Sequence, residues 1–310
     1  MSTQVIRTAD GWWVEAAGQA RRVSTHATTT ADLLKDRDAI AAAAEGPPTP
    51  IAELALLSPV TTPCRVVAQM VNYRSHARDS GFDPDQVPIT FFRKASGSIT
   101  GPTGAIIKPA HVRLLDYEIE LGLVIGSPLP VGTTLTADNL HSYVAGLVVT
   151  DDVSARDVQL PKSQFYEGKS YPTFTPVGPR LVLVDAGELA RLPDLRLRLS
   201  VNGVVRQDLT AADMIARPLA ALQVLTGFQQ LMPGDLVLTG TPGGTALKAP
   251  PPLIALIGNL LPPARKWKVF FERQAKNPAY LRDGDVVEAS IRTDDGELDL
   301  GVQHHTVRFA

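Results

Sequence analysis

The 310-residue sequence predicts a mixed, β-rich α+β protein with a small N-terminal α+β domain. Three observations carry this. Short apolar or alternating runs recur along the chain with few helical periods between them. Gly and Pro are frequent, at 24 and 25 residues, which favours many turns over long helices. The hydrophobic fraction is 44%, enough for a substantial core in a chain of this length. Strands outnumbering helices in this way argue for a largely antiparallel architecture.

Residues 1–65 read as the accessory domain. Thr3 to Arg7 and Trp12 to Glu15 form a predicted hairpin about Asp10-Gly11. Thr30 to Glu45 resembles one helix capped by Thr30 and broken by Gly46-Pro47-Pro48. Leu54 to Leu57 reads as a short strand. The main body, 66–310, opens on the buried-strand pattern Arg65 to Val71, and a short helical stretch then runs to Gly81. Further strands are expected at Thr90–Lys94, Ala105–Lys108, Tyr117–Ile125, Tyr143–Thr150, Arg180–Val184, Leu195–Val201, Leu236–Thr239, Val286–Ile291 and Thr306–Phe309. Helices are expected at Thr136–Leu140 and Pro218–Gln230. Residues 247–280, with their Pro runs, apolar Leu253 to Ile257 and Arg265-Lys266-Trp267, read as an insertion, either of the kind that forms lids or contact surfaces or an ordinary packed loop.

Composition narrows the function. The formal net charge of -2 and the absence of like-charge runs give no nucleic-acid signature. A single cysteine, Cys64, excludes an internal disulfide framework. Met1 to Arg7 has no signal-peptide pattern, and the most apolar run, Leu253 to Leu261, is too short to span a bilayer. A cytoplasmic protein without membrane association is the expectation.

The chemistry centres on Asp116-Tyr117-Glu118-Ile119-Glu120. On a strand, Glu118 and Glu120 share one face, while Tyr117, Ile119, Leu121, Leu123 and Ile125 line an apolar back. Glu-x-Glu alone is the ordinary pattern of a solvated sheet face. Beside a packed core, however, two carboxylates need a proton or a cation between them. A third acid, Asp152, follows the strand ending at Thr150. An all-oxygen set of Glu118, Glu120 and Asp152 favours Mg²⁺ or Mn²⁺ over Zn²⁺. Arg156 and Asp157 read as structural pairs nearby.

His76 and Asp79 stand three apart on the short helical stretch, a spacing that allows a general-base dyad. Lys169 offers a cation to an anionic substrate. Thr239-Gly240-Thr241-Pro242-Gly243-Gly244 follows a strand and lacks the P-loop Gly-Lys-Ser/Thr, but its N–H groups suit a carboxylate. Asp294-Asp295-Gly296 reads as a hairpin turn. His304-His305, at the start of the last strand, point to opposite faces and read as structural.

Seven segments in order resemble the fumarylacetoacetate hydrolase family: Asn72 to His76, Phe91 to Lys94, Asp116 to Glu120, Asp152 to Gln159, Gly168 to Ser170, Thr239 to Pro242 and Gly284 to Glu288. The likeness covers roughly residues 57–310, with the insertion as a gap. It implies a rolled mixed β-sheet, a homodimer and a divalent ion. It also implies that Glu118, Glu120 and Asp152 ligate the metal and that His76 activates water with Asp79. Lys169 would support substrate or metal, with Tyr73, Arg74, Gln159 and Thr241 near the substrate. Asp79 stands where the family commonly has Glu. The implied reaction is metal-dependent hydrolysis of a C–C bond in a 2,4-diketo acid, as in aromatic-compound catabolism, with enolate charge stabilised by the metal. The alternative is decarboxylation or isomerisation of a β-keto or unsaturated oxo-diacid, and a non-catalytic scaffold is the third reading.

Overall fold

Strand pairing divides the chain between two large sheets. The structure is a computed structural model that describes residues 2–162, 164–250 and 262–310. The N-terminal strands are β1 (Gln4–Thr8), β2 (Gly11–Ala16), β3 (Gln19–Arg22) and β4 (Pro48–Pro50). Next come β5 (Val66–Met70), β6 (Thr90–Lys94), β7 (Ile99–Thr100), β8 (Thr103–Lys108), β9 (Leu115–Asp116) and β10 (Ile119–Ile125). The middle of the chain adds β11 (Val144–Asp151), β12 (Ser154–Ala155), β13 (Thr175–Pro176), β14 (Leu181–Leu183), β15 (Arg196–Val201) and β16 (Val204–Thr210). The last are β17 (Leu236–Leu238), β18 (Val286–Arg292) and β19 (Asp299–Phe309).

Ten strands form one sheet in the order β4-β3-β2-β1-β14-β11-β10-β17-β5-β6, and five form the other, β16-β15-β18-β19-β8. Most pairs are antiparallel, as expected, but β17–β5 and β19–β8 are parallel, so both sheets are mixed. Strands β10 and β11 pack on β15, β18 and β19. The apolar back of β10 supplies that core: Ile119, Leu121, Leu123 and Ile125 are buried with Leu197, Leu199 and Ile291. The opposite side of the large sheet holds a second core, in which Val66, Val124, Val148 and Leu236 meet Val5, Trp12, Leu33 and Ile40.

The N-terminal 65 residues are therefore not set apart. Strand β1 pairs with β14, and the hairpin extends the main sheet. Several local expectations are corrected. The helix over 30–45 is two short helices, Thr30–Leu33 and Arg37–Ala43. Thr29 is the cap, its hydroxyl accepting from Asp32 N, while the buried Thr30 hydroxyl donates to Pro59 O at 2.9 Å. Leu54 to Leu57 makes only an isolated bridge at Leu57, opposite Arg7. The Thr136–Leu140 helix is replaced by a 3₁₀ turn at Leu140–Ser142, and the helix from Pro218 ends at Thr226. The last strand begins at Asp299, so His304 and His305 lie in its middle; His304 is exposed and His305 buried.

Of the insertion, the apolar run Leu253 to Ile257 lies outside the described residues. The part after it is the helix Pro263–Gln274. Among the described residues no helix is long and apolar enough to cross a membrane.

Candidate metal centre

Glu118 precedes β10, and the end of β11 folds against it. Its backbone N–H donates to Asp151 Oδ1 at 2.7 Å, and its carbonyl accepts from Asp152 N at 2.8 Å. These two bonds bring Asp152 alongside Glu118. One step into β10, Glu120 pairs with Thr150. The carboxylates of Glu118, Glu120 and Asp152 each place an oxygen within 4.8 Å of the others, and all three side chains are buried. The solvated-face reading of Glu-x-Glu does not hold.

The loop after β17 completes the arrangement. Thr239 Oγ1 donates to Leu121 O and Thr241 Oγ1 donates to Ile119 O, at 2.9 and 2.8 Å. Gly240, at φ +85, gives its N–H to Glu120 Oε2 at 2.7 Å. A Cβ there would meet Asn72 Cβ at 2.7 Å, so both backbone sign and space call for glycine. The loop's N–H groups do bind carboxylates, but the protein's own.

Three buried cations thread the cluster. Lys169 Nζ donates to Glu118 Oε2 and Asp152 Oδ2, both at 2.6 Å. Lys94 donates to Asp152 Oδ1, and to Phe174 O at 2.9 Å. Arg156 donates to Glu118 Oε1, to Asp116 Oδ2 at 2.8 Å and to Gln159 Oε1 at 3.0 Å. Burial alone would raise Glu118, but Arg156 and Lys169 outweigh it and hold this carboxylate below its ordinary range. Burial, together with the charges of Asp152 and Glu118, pushes Glu120 well above its ordinary value. Asp151, whose Oδ2 has no partner, is raised to about 7, mainly by burial.

The charge balance fits a divalent ion. Asp116, Glu118, Glu120, Asp151 and Asp152 are buried here against Lys94, Arg156 and Lys169. With all ionised, two negative charges are unmatched, and the two acids displaced upward are those that would otherwise carry them. A hard dication among three carboxylate oxygens supplies the missing charge.

A cavity of about 640 Å³ opens onto this cluster, lined among others by His76, Glu118, Glu120, Asp152, Gln159, Lys169 and Thr241. The remaining expected site residues lie elsewhere. Tyr73 is wholly buried and does not line the cavity. Arg74 turns to Asp85 at 2.8 Å. Asp79 does not join His76: its Oδ2 accepts from Gly244 N at 3.0 Å and from Lys248 Nζ at 3.2 Å. The 240–244 loop presents N–H groups that need acceptors, and Ser75 and Asp79 on the helix Arg74–Asp79 take two of them. His76 is left with Nδ1 unpartnered, and burial lowers its pKa, so the ring is neutral near pH 7.

Sequence reasoning assigned no role to Lys94 or Asp151, and it put Arg156 among structural pairs. The signal for the cations was indirect: three converging acids in a core need countercharges, and Lys94 closes a strand that pairs with β5. Asp157 is the structural residue, accepting from Arg113 N and Leu114 N.

Comparison with known proteins agrees with the motif order. Residues 65–308 match the family model for the fumarylacetoacetate hydrolase C-terminal domain. The chain belongs to the fumarylacetoacetate hydrolase family. Among relatives of this family, the mitochondrial oxaloacetate tautomerase Fahd2a of Rattus norvegicus is 36% identical over 220 residues, covering 71% of this chain and 68% of the relative. The human mitochondrial oxaloacetate tautomerase FAHD2A is 35% identical over 221 residues, with the same coverage of 71% and 68%. Among solved structures, the fumarylacetoacetate hydrolase of Exiguobacterium antarcticum superposes with TM-score 0.74 at 27% identity, covering both chains fully (100%). A 2-hydroxyhepta-2,4-diene-1,7-dioate isomerase of Mycobacterium marinum gives TM-score 0.69 at 26% identity, covering 100% of this chain and 98% of that one. The chain is thus an enzyme-family member with the family's mixed β-rich fold.

Proposed function

We propose that the chain is a divalent-metal-dependent enzyme that moves protons on a 2-oxo acid, as a tautomerase or isomerase of a β-keto or unsaturated oxo-diacid. The observation that carries this reading is the state of His76. Its neutral ring faces the cavity, and among the described residues no carboxylate is hydrogen-bonded to its Nδ1. A histidine that must deprotonate water gains from a carboxylate partner. Asp79, the expected partner, is engaged by the Gly244 N–H and Lys248. This favours proton transfer at carbon over the C–C hydrolysis implied by the family name.

Keto–enol exchange breaks one C–H bond and forms one O–H bond, or the reverse, and consumes no water. The imidazole of His76 takes the proton from the carbon next to the keto group and delivers it to the enol oxygen, and it makes the same two transfers in reverse in the opposite direction. Lys169 and Arg156 keep Glu118 ionised, and Lys94 and Lys169 hold Asp152 in place. Glu118, Glu120 and Asp152 would hold Mg²⁺ or Mn²⁺, which when bound supplies Lewis-acid stabilisation of the charge developing on the oxo acid's oxygens. The names of the tautomerase and isomerase relatives support the same class.

The test is a substrate panel with Mg²⁺ and with chelator. Enol oxaloacetate should convert to the keto form faster with enzyme and Mg²⁺, and the gain should vanish with chelator. Cleavage of acylpyruvates without any tautomerisation would reverse the assignment to hydrolysis, and release of carbon dioxide from oxaloacetate would shift it to decarboxylation.

A further inference from the structure

The cavity is larger and more apolar than a four-carbon oxo-diacid requires. Its volume of about 640 Å³ falls in the range that holds a drug-sized ligand. Beyond the carboxylate cluster its lining turns aromatic: Phe82, Phe92, Phe165, Trp267 and Phe270. The change begins beside the cluster itself. The Phe92 ring centre lies 5.5 Å from Lys169 Nζ, and Phe165 packs edge-on against Phe92 at 5.6 Å.

Trp267 and Phe270 come from the insertion helix, and their rings are fixed by their neighbours. Trp267 stacks on Phe271 at 5.5 Å and 16°, and Phe270 meets Trp267 edge-on at 5.8 Å. Phe271 is itself buried in the main core. An aromatic wall anchored in this way is preorganised and gives up little freedom when a ligand docks. Four of the cations near the wall are paired with acids: Lys94, Lys169 and Arg156 with the acidic cluster, and Lys248 with Asp79. A second substrate carboxylate entering this part of the cavity would lose hydration against rings.

Resting on the proton-transfer and 2-oxo-acid parts of the reading above but replacing its diacid with a monoacid, we propose that the site selects a 2-oxo acid bearing an apolar, ring-sized substituent next to its keto group, read by Trp267 and Phe270. The acidic end of the cavity takes the oxo-acid head and the aromatic wall takes the substituent. Arg273, exposed on the same helix and also lining the cavity, is the competing anchor for a diacid.

The experiment compares phenylpyruvate with oxaloacetate on the Mg²⁺-loaded protein, by calorimetric binding and by tautomerisation rate. Wild type should bind phenylpyruvate about tenfold more tightly or better. Trp267→Ala and Phe270→Ala should each weaken phenylpyruvate by about fivefold or more and leave oxaloacetate within about twofold, while Trp267→Phe restores most of the loss. Tighter binding of oxaloacetate, or phenylpyruvate binding indifferent to both alanine variants, overturns the proposal. Trp267-dependent binding of phenylpyruvate without tautomerisation of either acid supports the apolar selection and rejects the tautomerase reading. Binding of neither acid rejects both.

Discussion

Lys169 Nζ donates to Asp152 Oδ2 at 2.6 Å while bonded equally closely to Glu118, so one ammonium bridges two of the three candidate metal ligands. Replacing it with an apolar chain removes the bridge and leaves both carboxylates with less countercharge. Lys169→Met should therefore lower stability in chelator by about 3 kcal/mol, the cost of breaking a buried ionic contact. Mg²⁺ should recover part of the loss by supplying the charge itself. Chemical denaturation with and without Mg²⁺ checks this; equal stability of variant and wild type in chelator would contradict it.

Glu120 predicts the opposite sign. Burial and two neighbouring acids hold it above its ordinary value, which favours the protonated form in the metal-free chain. Gln is close in shape to that protonated form and can still accept from the Gly240 N–H. Glu120→Gln should leave the thermal midpoint in chelator unchanged or higher, and the rise normally produced by Mg²⁺ should disappear. A variant that is destabilised in chelator yet still responds to Mg²⁺ would place the ion elsewhere.

The strands and the three acids were legible because both rest on local pattern. The alternation from Glu118 to Ile125 fixes which side chains share a face, and the core found behind Ile119 and Leu121 is the one the pattern requires. The partnership of His76 and Asp79 was misread because helical spacing shows only that two residues can meet. What decided it was the Gly244 N–H, far along the chain and needing an acceptor. Lys94 was hidden for the same reason: a lysine ending a strand looks solvated until Asp152 arrives from another strand. The insertion's role in the cavity depends on where Trp267 and Phe270 dock, which composition alone does not fix.

Separating His76 from Asp79 yields a paired test. His76→Ala should reduce tautomerisation by about a hundredfold or more, the usual loss when a general acid–base group is removed. It should leave the Mg²⁺-induced rise in thermal midpoint intact. Asp79→Asn should change activity far less and leave the pH profile in place, since the carboxylate touches the 244 loop and Lys248 rather than the ring. Equal, large losses in both variants, with the profile shifted in Asp79→Asn, would restore the dyad and with it the hydrolytic reading.

Far from the site in sequence, His305 carries a pH dependence of its own. It lies mid-strand between β18 and β8, buried, with neither ring nitrogen hydrogen-bonded. Burial, helped by the neighbouring His304, pushes its pKa down to about 4 from an ordinary 6.5. The unfolded chain therefore takes up a proton in a window where the folded chain does not. His305's contribution to stability is constant above about pH 6.5 and is lost progressively as pH falls towards 4. The shift corresponds to about 3 kcal/mol across that window. His305→Leu removes the titrating group, so the stability of wild type relative to the variant should be flat above pH 6.5 and fall by about that amount between pH 6.5 and 4. Denaturant melts at half-unit pH steps measure the difference directly; parallel curves over the whole range would mean that the ring is protonated within the fold.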